Sequence, residues 1–148
     1  MISKPLHGWC EFHLGDFIGH PSYTTDVPMD ILNAFEEYIC TNNRCVSVAF
    51  DEEGSDFYLI LTPYDIYIIS EREETLLHHY DNKPILEIAL ELTNDIESDF
   101  NNWATQFCWS IGVGGTKEQD QKVIDERINI FKQKIKNIRD TIKNKYCE

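Results

Sequence analysis

Apolar positions change their spacing several times along the chain, and each change predicts an element. From Leu6 to Thr24 they alternate: Cys10, Phe12 and Leu14 fall on one side of an extended chain, with Trp9, Glu11 and His13 on the other. Gly15-Asp16 makes a hairpin corner between two strands. Residues 45–80 keep a strand-like pattern. Cys45 to Phe50 alternates, Asp51-Glu52-Glu53-Gly54-Ser55 reads as a turn, Phe57 to Leu61 follows, and Pro63-Tyr64-Asp65 turns into Ile66 to Ile69. The segment from Thr75 to Tyr80 either continues that last strand or pairs as a further one. Runs apolar on both faces predict strands that are central or covered on both sides.

Helical spacing appears three times. Thr25 or Asp26 can cap a helix over 27–41, with Pro28 and Asp30 in its first turn and Ile31, Leu32, Phe35, Tyr38 and Ile39 on one stripe; Asn42-Asn43 supplies the stop. Lys83-Pro84 opens a long helix in which Ile85, Ile88, Leu92, Ile96, Phe100, Trp103 and Phe107 share a face as far as Trp109. Thr116 and Gln119 form a capping box before a final helix, where Ile124, Ile128, Phe131, Ile135, Ile138 and Ile142 run at steps of three and four.

The sequence therefore predicts one α+β domain over 1–148. Residues 1–82 are mostly an antiparallel sheet of about five strands with one inserted helix, and residues 83–148 are an antiparallel pair of long helices.

Charge alters this picture by being divided unevenly. Residues 1–121 hold 22 of the 26 acidic side chains and five of the 13 Lys and Arg, a net of −17; residues 122–148 carry a net of +4. An acidic body repels nucleic acid and anionic membranes and attracts cationic partners. The basic tail is too weakly charged beside it to hold nucleic acid; pairing with the chain's own acids is the simpler use for it. The five cysteines are irregularly spaced with no CxxC, and no signal-like or membrane-spanning apolar run occurs, so a reduced, cytoplasmic protein is expected.

Candidate chemistry is sparse. His7, His13, His20, Cys10, Glu11 and Asp16 crowd the first segment, yet strand geometry sends Cys10 away from His7 and His13. Gly112-Val113-Gly114-Gly115-Thr116-Lys117 lacks phosphate-loop spacing and follows a helix, not a strand. Of His78 and His79, adjacent in a strand, one is expected to pack and the other to meet solvent. No pattern for a metal or cofactor emerges. Glu87, Glu91, Asp95 and Asp99 recur every four residues on one helix stripe, where like charges repel by a few tenths of a kcal/mol each, so they are the expected binding surface.

In composition the chain is similar to small acidic immunity proteins, which neutralise cationic toxins such as nucleases. That likeness implies a non-enzymatic module with a basic protein partner. The alternatives are an enzyme or small-ligand binder using Trp9, His13, Asp16 and His20, and a homodimer through the C-terminal helix.

Overall fold

A computed structural model describes residues 1–81 and 84–146; Lys83 and Cys147 lie outside them. A short hairpin comes first, β1 (Phe12–Leu14) and β2 (Phe17–Gly19), turned by Gly15 in the left-handed region at φ +58°. Helix α1 (Val27–Cys40) follows, starting after Asp26 with Pro28 in its first turn as the sequence predicts. Four strands then run as an antiparallel meander in the order β3 (Val46–Asp51), β4 (Asp56–Leu61), β5 (Ile66–Glu71), β6 (Thr75–Tyr80). Helices α2 (Ile85–Glu97), α3 (Phe100–Gln106) and α4 (Lys117–Tyr146) complete the order. The class is α+β, and no helix among the described residues is long and apolar enough to cross a membrane.

The single five-stranded sheet is not formed. Thr75–Tyr80 pairs as a fourth strand beside β5, and the β1–β2 hairpin forms a separate two-stranded sheet. Three residue pairs of ladder give a hairpin little stability of its own. What holds it is aromatic packing: Phe12 lies 5.5 Å from Phe50 and 5.6 Å from Phe57, and Phe17 lies 5.0 Å from Phe57, centroid to centroid. Such pairs contribute about 0.5–1.5 kcal/mol each beyond area burial, so lying on the face outweighs extending the edge. Gly19 makes the approach possible, because a Cβ there would sit 2.5 Å from the Phe57 ring.

A polar staple completes the join. The Glu52 side chain, 6% exposed, accepts from Arg72 Nε (3.1 Å) and Nη2 (3.0 Å), the His20 amide (2.6 Å) and Ser55 Oγ (2.9 Å). Arg72 Nη2 also donates to the Ile18 carbonyl at 2.9 Å. The β3–β4 turn, the β5–β6 turn and the hairpin thus meet on one carboxylate.

The long helix expected from 83 to 109 is also corrected. It breaks at Ser98-Asp99, where Asp99 leaves helical geometry at φ −153°, ψ 55°. Ser98 Oγ donates to the Asp95 carbonyl at 2.7 Å, the local competition with the helix ladder that short polar side chains offer. The break lets α3 bury Trp103 and Phe107, and stacks Phe100 on Phe131 of α4.

Helix α4 uses its isoleucine seam inward. Phe131, Ile135, Ile138 and Ile142 are buried and Ile124 and Ile128 partly so, against α1, α2 and α3. Its cations follow the seam. Arg127 grips Asp26 with two 2.8 Å bonds and reaches the Phe107 carbonyl, Lys134 and Asn137 bind Glu36, and Arg139 binds Glu97 at 2.7 Å.

Candidate protein-binding face

The four predicted acids of the helix stripe occupy different settings. Glu87 and Glu91 are exposed on α2. Asp95 accepts the Ile2 amide at 2.9 Å, and Asp99, beyond the helix break, accepts from Asn102 Nδ2 at 2.8 Å. Two of the four therefore hold the fold locally.

The predicted hairpin group is spread over separate surfaces. Trp9 and His20 border one recess, and Asp16 borders another while accepting from the Tyr80 hydroxyl at 3.0 Å. His13 meets Glu11, just ahead of its strand, at 2.9 Å. It also lines, with Glu87 and Glu91, a recess of about 210 Å³, a juxtaposition across 74 residues that no local pattern signals. Cys10 is buried, and burial, reinforced by Glu11, pushes its thiol up to about 12, so it carries no thiolate for nucleophilic work.

The surface the sequence reading missed is the outer face of the meander. Inner positions from Val46 to Ile68 are buried beneath the hairpin and helices, whereas the intervening positions stay half-buried or exposed. Strands apolar on both faces were expected to be central or covered on both sides; β4 and β5 are central, and their outer positions stay half-buried or exposed. In register across the open side run Ala49, Tyr58, Ile69 and Leu77, then Ser47, Ile60, Tyr67 and His79. Leu77 is 66% exposed. Tyr67 stacks on His79 with centroids 4.5 Å apart and planes within 5°. Of the two histidines, His78 turns inward beside Phe17 and Ser70 while His79 faces out, as predicted.

Both ends of this face are acidic. At one end Asp51, Asp56 and Glu71 stand directly opposite one another on three adjacent strands, an arrangement in which like charges destabilise the pairing. Glu71, with burial and Asp56 adding to it, raises the Tyr58 hydroxyl above its ordinary pKa. At the other end His79 Nε2 lies 3.2 Å from Asp65 and 2.7 Å from Asp81. Desolvation and the Asp65 carboxylate raise the Tyr67 hydroxyl likewise.

Asp65, His79 and Asp81 present donor atoms within 4.8 Å of one another, the geometry that would suit a metal ion. Contact of the His79 ring with both carboxylates accounts for the same arrangement without one. Neither this cluster nor the separated hairpin residues assembles a nucleophile, a base and an oxyanion donor around a common point, which is what covalent catalysis needs. The chain matches no protein family model, no curated protein and no solved structure.

Proposed function

We propose that this chain is a non-enzymatic interaction module whose acidic surface binds, and as an immunity-type protein neutralises, a basic protein partner. One observation carries the reading: the ion pairs that join the elements leave a row of like charges at one end of the sheet. Arg127, Lys134 and Arg139 bind Asp26, Glu36 and Glu97 where α4 packs on the body, and Arg72 binds Glu52 beneath the hairpin. Asp51, Asp56 and Glu71 instead face each other across strands, with Glu53, Glu73 and Glu74 exposed nearby. A sequence selected for stability alone would intersperse Lys among them. Retaining an unfavourable row of like charges makes sense where an incoming cation relieves it.

Association driven this way is steered, so its on-rate falls steeply as salt screens the field. Affinity capture on the immobilised chain at low salt, with partners identified by mass spectrometry, should retain basic proteins that a high-salt wash releases. Retention of no basic protein, or of neutral ones indifferent to salt, refutes the reading.

A further inference from the structure

We infer that the docking surface is the open face of the four-stranded sheet, and that its occupant is a basic protein element carrying an apolar or aromatic centre flanked by Lys or Arg. The inference rests on the proposed acidic-module reading and adds where the partner sits and what it must present.

Six-residue strands at about 3.3 Å per residue, four abreast at about 4.8 Å, give a face of roughly 20 by 15 Å, about 300 Å². That is the size of the largest apolar patch on an ordinary monomer and short of the roughly 800 Å² each partner contributes to a stable interface. The centre of the contact therefore lies on the face and the rest on its rim. Here the centre is Tyr58, Ile60, Tyr67, Ile69 and Leu77, and the rim is acidic at both ends.

This is the anatomy of a binding patch: tyrosines and aliphatics at the middle, charge at the edge. Tyrosine loses little rotamer freedom on contact, and its ring offers a face to a guanidinium or ammonium group. Arg44 and Arg72 already lie over the Tyr38 and Phe17 rings elsewhere in the chain, so such seats form readily in this fold.

Charge selects among possible occupants. A second copy would bring an acidic end against an acidic end whichever way it were turned, because both ends carry carboxylates. Nucleic acid and anionic lipid are repelled for the same reason. A segment with Lys or Arg on either side of an apolar residue satisfies both ends at once. The exposed pair Glu87 and Glu91 on α2 presents no row of half-buried rings to hold such a partner.

Selection of a random-peptide phage library on the immobilised full chain tests this. Enriched peptides should place Lys or Arg beside Trp, Phe, Tyr or Leu. They should lose about tenfold or more in affinity on Ile69→Asp, and comparably on a separate Asp56→Lys, Glu71→Lys variant, whose positions lie at strand ends and whose folding is checked by circular dichroism. The Glu87→Gln, Glu91→Gln variant should keep their affinity. If basic peptides are enriched but bind the sheet variants as tightly as the original chain, the face is wrong and the acidic-module reading survives. If no basic peptide is enriched, both fall.

Discussion

Gly19 shows how much one side-chain position decides. With no Cβ, it lets the Phe57 ring lie against β2 and seats Phe12 and Phe17 on the sheet. Gly19→Ala would force ring and strand apart, because the clash is with an enclosed aromatic and not with the end of a mobile chain. The expected loss is about 1–3 kcal/mol, read as a lower denaturation midpoint in urea, with the near-ultraviolet circular dichroism of the aromatic cluster weakened. From sequence this glycine looks like any loop glycine. The alternation of Cys10, Phe12 and Leu14 against Trp9, Glu11 and His13 was legible and is observed, since period two follows directly from strand geometry. That the hairpin lies across the sheet, and does not extend it, depends on contacts between residues about 40 apart, which no local pattern carries.

At the scale of elements, the start of α1 at Pro28, the strand meander and the α4 seam were readable because each rests on a local period or a proline suited to a first turn, whereas Asp26 gives its carboxylate to Arg127 and makes no side-chain cap bond. The break between α2 and α3 was not, because the apolar stripe continues through it while Ser98 and Asp99 undo the backbone underneath. The open face was hidden for a related reason. Tyr58, Ile60, Tyr67 and Ile69 are as apolar as core residues, so periodicity could not tell a covered face from an uncovered one.

The charged joins between elements have a pH signature. Burial alone would raise the Glu36 carboxyl, but hydrogen bonds from Lys134 and Asn137, with the Lys134 charge, outweigh it and hold the group below its ordinary value of 4.5. Glu52 behaves alike through Arg72, His20 and Ser55. A carboxylate depressed in the folded state stabilises fully above its unfolded pKa and loses that contribution as pH falls through the folded value. Urea midpoints should therefore drop once pH goes below about 4.5. The doubly substituted Glu36→Gln, Glu52→Gln chain should start about 2–4 kcal/mol less stable at neutral pH and show a flatter acid limb. Asp30, raised by burial and by neighbouring Asp26, works in the opposite sense and gains by protonation, which softens the limb without reversing it.

For the whole molecule, charge has a role beyond the proposed partner. Among the described residues β6 bonds only to β5, leaving its far margin unpaired, and it carries Leu76 and Leu77, both more than half exposed. Its six residues, Thr75 to Tyr80, include no lysine or proline of the kind that ordinarily keeps such a margin from recruiting another chain. Mutual repulsion between net −13 molecules supplies that protection instead. It vanishes near the isoelectric point, about 4.7. Light scattering and thioflavin fluorescence should accordingly rise as pH approaches that value, and Leu76→Lys should suppress both. The abundance of carboxylates proposed to draw a cationic ligand is thus also the molecule's safeguard against polymerising with itself.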